Sequence, residues 1–195
     1  MVKQQIITND GQLDYYPQWL DQTHAEQLMF IFVHALQWQQ ETIKMFGREH
    51  LSPRLVCWYG DDGVSYRYSG VDHVAKGWHT DLLLLRNRLK MQLSAEFNSV
   101  LGNYYRDGND YMGWHSDNEK ALGMNPVIAS LSLGVTRRFS LQHKTSKQKF
   151  KLDLNSGDLL VMAGELQHHW RHALLKSKLI TAPRINLTFR RIIQF

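Results

Sequence analysis

The chain is poor in the residues that would staple or divide it. Its 195 residues include a single cysteine, Cys57, so no internal disulfide is available, which fits a reducing compartment. There are only four prolines, and no Pro/Gly-rich linker, repeat or low-complexity tract interrupts the sequence. A single domain spanning 1–195 is the expectation. No run of about 18 apolar residues occurs, so no membrane span and no membrane partner are expected. Met1-Val2-Lys3-Gln4-Gln5 has no apolar core of signal-peptide length. A cytoplasmic protein is expected, nucleoid-associated in a bacterium or nuclear in a eukaryote. Acidic residues are missing from one stretch. Between Arg137 and Lys151 stand Arg137, Arg138, Lys144, Lys147, Lys149 and Lys151, with no Asp or Glu.

What is present has ordinary globular proportions, with 43% hydrophobic and 21% charged residues. The net charge of +5 is compatible with a polyanionic partner. The basic stretch reads either as a solvated hairpin or as a strip that meets a phosphate backbone.

Periodicity divides the chain in two. Residues 22–37 carry Leu28, Phe32, Ala35 and Leu36 at helical spacing, and Leu82, Leu85, Leu89 and Leu93 predict a second helix over 80–97. After Phe97 short alternating runs are separated by turns such as Asp107-Gly108-Asn109-Asp110 and Asn155-Ser156-Gly157-Asp158, the pattern of a sandwich or barrel. The clearest run is the last. Arg184, Asn186, Thr188 and Arg190 share one face of a strand, and Ile185, Leu187 and Phe189 share the other. The polar row faces either solvent on an edge or the mouth of a barrel, where guanidinium groups would meet an anion.

His115-Ser116-Asp117 places an imidazole and a carboxylate on one side of an extended backbone. Two imidazoles and one carboxylate suit one face of iron(II), leaving the other for a co-substrate and dioxygen. A downstream arginine can then hold the far carboxylate of an organic acid as a bidentate pair. Spacing leaves the third ligand open among His168, His169 and His172. If 167–172 is a strand, His168 and His172 share a face. Zinc at the same residues would activate water for hydrolysis, but a hydrolase has no need of a second anion clamp.

The chain resembles the AlkB family of iron(II)/2-oxoglutarate dioxygenases over roughly Phe46 to Ile192, about three quarters of its length. The resemblance rests on Asn103-Tyr104-Tyr105-Arg106-Asp107-Gly108, His115-Ser116-Asp117-Asn118-Glu119 and Ile128-Ala129-Ser130-Leu131-Ser132-Leu133-Gly134. It continues through His169-Trp170-Arg171-His172 and Pro183-Arg184-Ile185-Asn186-Leu187-Thr188-Phe189-Arg190. The likeness is greatest to the branch that acts on alkylated DNA, duplex DNA included.

The resemblance implies a mainly β chain with flanking helices (α+β), a double-stranded β-helix, or jelly roll, with N-terminal helices packed on one side. A nucleotide-recognition part at 1–95 would precede a catalytic core at 96–195. It selects His172 as the ligand beside His115 and Asp117. Arg190 would pair with the side carboxylate of 2-oxoglutarate, with Asn103, Tyr105, Arg184 and Asn186 in the same pocket. Fe(II), 2-oxoglutarate and O2 are the implied cofactors. The implied reaction removes N-methyl groups from bases such as 1-methyladenine and 3-methylcytosine, giving formaldehyde, succinate and CO2.

A base in a duplex must be flipped out to reach such a site. Tyr66, Tyr68 and Glu119 match the family's base pocket. Phe46 and Arg48, in Met45-Phe46-Gly47-Arg48, match an intercalating finger, an apolar wedge beside a cation. Arg137 and Arg138 would grip the backbone. The expected partner is alkylated DNA, single- or double-stranded, or RNA, and a monomer is expected. The competing readings are an RNA or protein demethylase or hydroxylase on the same scaffold and a nucleic-acid-binding relative that has lost catalysis.

Overall fold

The computed structural model describes residues 2–45, 48–68, 71–75 and 77–193, with side chains omitted at 43–49 and 66–73. The first half runs β1 (Gln4–Ile7), β2 (Gln12–Tyr16), α1 (Gln22–Ala35), β3 (Thr42–Met45), β4 (Arg48–Leu51), β5 (Leu55–Gly60), β6 (Ser65–Tyr68), β7 (Val71–Val74) and α2 (Thr80–Leu93). The second runs β8 (Ser99–Tyr105), β9 (Met112–His115), β10 (Ile128–Gly134), β11 (Arg137–His143), β12 (Lys149–Leu154) and β13 (Leu159–Ala163). It closes with α3 (Leu166–His169), β14 (Trp170–Leu174) and β15 (Arg184–Arg190). Among the described residues no helix is long and apolar enough to cross a membrane.

The strands form an antiparallel seven-stranded sheet, β1-β2-β13-β10-β15-β8-β5, and a four-stranded sheet, β12-β11-β14-β9, beside the hairpins β3-β4 and β6-β7. One cavity is lined from both sheets, by Asn103 and Arg184 of the large one and by Phe139 and His172 of the small one. This is the expected jelly roll. A seam at 95/96 does not follow the hydrogen bonds, because β1, β2 and β5 from the first half belong to the large sheet. Strand β5 pairs with β8 from Leu55↔Tyr104 to Gly60↔Ser99.

The large sheet has two chemically different faces. Ile185, Leu187 and Phe189 of β15 are fully buried with Leu131 and Leu133 of β10, under Leu28 and Phe32 of α1 and Leu82, Leu85 and Leu89 of α2. Their burial is the main hydrophobic contribution on this side. The alternate residues of β15 line the cavity. Helix α1 starts where the Asp21 carboxylate accepts the His24 N–H at 2.9 Å. Helix α2 ends at Ser94, which turns left-handed at φ 48°. Gly134 closes β10 at φ +87°, where a Cβ would lie 2.5 Å from the Pro183 carbonyl, so no side chain fits between the ends of β10 and β15.

Candidate metal and co-substrate site

The metal-ligand atoms converge across the small sheet. His115 of β9 stands opposite His172 of β14, with ring centroids 4.3 Å apart. His115 Nε2 lies 3.7 Å from Asp117 Oδ1. One ligand atom from each of His115, Asp117 and His172 falls within 4.8 Å of the others. A β-bulge makes this possible. His172 pairs with His115 but Leu174 pairs with Met112, so β9 carries one extra residue. The extra residue re-aims the strand, and both Met112 and His115 line the cavity although an odd number of steps separates them.

Several contacts hold the ligands in place before any ion arrives. His115 Nδ1 lies 2.8 Å from the Gly113 carbonyl, which fixes that nitrogen as the N–H and leaves Nε2 as the lone-pair donor. The Asp117 backbone N–H donates to Gln167 Oε1 at 2.9 Å, and Ser116 Oγ donates to the Trp170 carbonyl at 2.8 Å. Arg190 Nη2 donates to Asp117 Oδ2 at 3.0 Å inside the protein. Burial alone would raise the Asp117 carboxyl. The Arg190 guanidinium, with His172 and His115, outweighs it and holds the group well below the usual carboxylate range. Burial, with His115 alongside, pushes the His172 imidazole down to about 3, so it is neutral and ready to ligate. Its Nδ1 is buried without a hydrogen-bond partner among the described residues.

The other end of the cavity has a different character. Arg184 is 2% exposed. Its Nη2 donates to Ser132 Oγ at 2.9 Å and its Nη1 reaches the Leu154 carbonyl at 3.5 Å, while Nε has no partner among the described residues. No carboxylate among the described residues pairs with it. Burial lowers the guanidinium to about 10; Tyr105 and Asp158 oppose the fall and Arg137 adds to it. Between the ends, Asn186 Nδ2 donates to Ser130 Oγ at 2.8 Å and Thr188 Oγ1 donates to Asn186 Oδ1 at 3.0 Å. Asn103 Oδ1 accepts from Arg54 Nε at 2.6 Å, which leaves the Asn103 amide N–H groups available to the cavity. Burial raises the Tyr105 phenol.

The structure revises several expectations. Arg190 sits at the metal end, on Asp117, and Arg184 stands six residues earlier on the same face of β15. Residues 167–172 are not one strand: Leu166–His169 is a helical turn and β14 begins at Trp170. His168 Nε2 therefore lies 3.0 Å from Asn125 Oδ1, and His169 Nε2 lies 3.5 Å from Glu165 Oε2, both away from the triad. Arg137 is 2% exposed. It donates to the carbonyls of Asp107, Asp110 and Leu175 at 2.9–3.0 Å, so it is a buried tie and not a backbone grip. Arg138 is exposed but paired with Asp153 at 2.8 Å.

Glu119 does not line the cavity, and its Oε2 is buried without a hydrogen-bond partner among the described residues. Phe46 and the side chains of Arg48, Tyr66 and Tyr68 lie outside the described residues. Sequence reasoning missed Gln167 and Arg54. Gln167 stood beside the doubled histidines, but no spacing rule links it to Asp117.

A jelly roll with two imidazoles and a carboxylate at one end of its cavity, and an unpaired buried guanidinium at the other, defines the scaffold of a non-haem iron oxygenase with an organic-acid co-substrate. The family model described as the 2OG-Fe(II) oxygenase superfamily matches residues 12–190. The chain belongs to that superfamily and, within it, to the AlkB family. It is 36% identical over 187 residues to the human alpha-ketoglutarate-dependent dioxygenase alkB homolog 3, covering 91% of this chain and 65% of that protein. It is 39% identical over 159 residues to the bovine DNA oxidative demethylase ALKBH2, covering 77% of this chain and 57% of that protein. The chain thus spans less than two thirds of those relatives' length. A solved structure of OsALKBH1 superposes with TM-score 0.67 at 14% identity, covering 97% of this chain and all (100%) of that one, a likeness of fold.

Proposed function

We propose that this protein oxidatively removes alkyl groups from N-alkylated bases in DNA, with iron(II), 2-oxoglutarate and dioxygen. The observation that carries the reading is Arg184. A buried cation without an ion-pair partner is costly, and here it shares one face of β15 with Arg190 and lines the cavity that holds the triad. A dicarboxylate lying along that face satisfies it. The names of the relatives, DNA oxidative demethylase among them, support an alkylated nucleic acid as the second substrate.

His115 through Nε2, Asp117 and His172 would hold the iron. When bound, the iron and its co-substrates supply the oxidising equivalents that hydroxylate the N-alkyl carbon, with succinate and CO2 leaving. The protein's residues do the rest. Arg184 takes the far carboxylate of 2-oxoglutarate by a charge-assisted pair. Asn103 donates an amide N–H into the cavity, and Asn186 and Thr188 hold each other in the polar row between the two arginines. Arg190 keeps Asp117 ionised and aimed. Phe139, Leu174 and Leu101 supply apolar wall between the polar groups of the cavity. For an N-methyl group the hydroxyl proton then passes to water as the C=O bond forms and the C–N bond breaks, so formaldehyde leaves and the ring nitrogen keeps the electron pair.

The substrate base reaches the cavity by leaving the stack. Tyr66, Tyr68 and Glu119 are proposed to receive it and Phe46, with Arg48, to fill its place. The test is incubation of the iron-loaded protein with 2-oxoglutarate and 1-methyladenine in single- and double-stranded DNA, read by mass spectrometry. Methyl loss that requires both iron and 2-oxoglutarate is expected, with Phe46→Ala depressing the duplex rate more than the single-strand rate. Succinate formation without methyl loss would overturn the substrate, and neither product would overturn the reading as a whole.

A further inference from the structure

The basic stretch 137–151 loses most of its members to internal contacts. Arg137 is buried on carbonyls, and Arg138 is neutralised by Asp153. Lys144 Nζ donates to the Gln167 carbonyl at 2.9 Å and Lys147 Nζ to the Lys144 carbonyl at 2.5 Å. Lys149 and Lys151 remain exposed, with no carboxylate partner among the described residues. Both point to the outer face of the small sheet, because the intervening Phe150 packs into the apolar cluster inside it.

Register adds two residues from outside the stretch. Lys149 stands opposite Gln142, and Gln142 stands opposite Arg171. His172 lines the cavity, so Arg171 faces outward. Gln142 Oε1 accepts from Arg171 Nη2 at 2.6 Å and from Nε at 3.2 Å, which fixes the guanidinium. That guanidinium lies 5.2 Å from the centre of the Trp114 ring, and Trp114 is 36% exposed. Trp114 immediately precedes the metal-ligating His115 on β9, an edge strand. Lys149, Gln142, Arg171 and Trp114 therefore form a row across all four strands beside the ligands His115 and His172, two cations joined by a buried amide and ending in an exposed indole, with Lys151 one same-face position further along β12.

We propose that this row is the docking surface for the single-stranded DNA that flanks the substrate base, with one base stacked on Trp114 and phosphates met by Arg171, Lys149 and Lys151. The proposal rests on the nucleic-acid reading above. Its physical basis is charge complementarity plus a stacking platform, the combination that single strands use. A single strand fits better than a duplex, because its bases present their faces to the indole. The fixed Arg171 lowers the entropy lost on binding.

The test is fluorescence anisotropy with a labelled, unmodified oligothymidylate over a range of salt. Lys149→Ala combined with Lys151→Ala should reduce the slope of log affinity against log salt by about 1.4, two phosphate contacts at about 0.7 each. Trp114→Ala should weaken binding roughly five- to a hundredfold at every salt concentration, and Trp114→Phe should recover part of the loss. Annealing the oligonucleotide to its complement should remove the dependence on Trp114. Calorimetric binding of Mn(II) and 2-oxoglutarate should be unchanged in the lysine variants, confirming an intact fold. Wild-type affinity and slope in all variants would overturn the surface alone. No binding of any nucleic acid by the wild type would overturn the nucleic-acid reading with it. Tighter binding of a matched oligouridylate would overturn DNA as the occupant.

Discussion

The two ends of the cavity are built on opposite principles. At the metal end most groups are already answered: His115 by the Gly113 carbonyl, Asp117 by Arg190 and Gln167, and Ser116 by the Trp170 carbonyl, with His172 Nδ1 the exception among the described residues. At the other end Arg184 is buried with one hydroxyl, one distant carbonyl and, among the described residues, no carboxylate in direct contact. The first end is preorganised, so little conformational freedom is lost when a metal binds. The second end is left in deficit, and an incoming carboxylate restores balance. The difference shows which part of the site is scaffold and which part is waiting for a ligand.

Breaking the metal end has the largest expected effect. Asp117→Ala or His115→Ala should abolish turnover and metal binding together, measured as succinate yield and Mn(II) affinity; normal turnover in either would sink the assignment. Breaking the other end should separate two properties. Arg184→Leu should weaken 2-oxoglutarate binding by roughly 10- to 100-fold, the worth of a charge-assisted pair. The same change should leave Mn(II) affinity near wild type and raise the melting temperature of the ligand-free protein, because a lone buried cation is removed. If Arg190→Leu rather than Arg184→Leu selectively cost 2-oxoglutarate affinity, the two ends would have been assigned the wrong way round.

Gln167→Leu tests the preorganisation itself. Loss of the Asp117 N–H acceptor should lower metal affinity by roughly 10- to 100-fold with 2-oxoglutarate affinity per loaded site retained. Gln167→Glu keeps an acceptor and should recover much of the loss. The smallest effect is expected at Arg137→Lys, which keeps the charge and loses the planar fork. It should cost about 1–3 kcal/mol of stability in urea denaturation and leave both affinities in place.

The sequence made the strand 184–190 legible because strict alternation of large apolar and polar residues has one structural meaning in a two-faced sheet. The His-x-Asp pair and the two helices were visible for similar reasons of spacing. The bulge in β9 was not, since nothing in Met112-Gly113-Trp114-His115 states that one residue is left over against β14. The helical turn at 166–169 was hidden by histidines that fit a strand equally well. Arg137 misled because charge implies exposure unless a partner is known, and its partners are backbone carbonyls contributed by distant loops. The division of roles between Arg184 and Arg190 is equally hard to read from sequence. Two arginines on one strand face look alike in sequence, and only the position of Asp117 tells them apart.

Arg137 has a consequence for how the rim of the molecule behaves. One planar group closes on carbonyls from Asp107, Asp110 and Leu175. It acts as a rivet through two loops far apart in the chain. Displacing one loop strips donors from the other, so the two are coupled in motion although they share no strand. Amide exchange at 107–110 and at 175 should therefore rise and fall together.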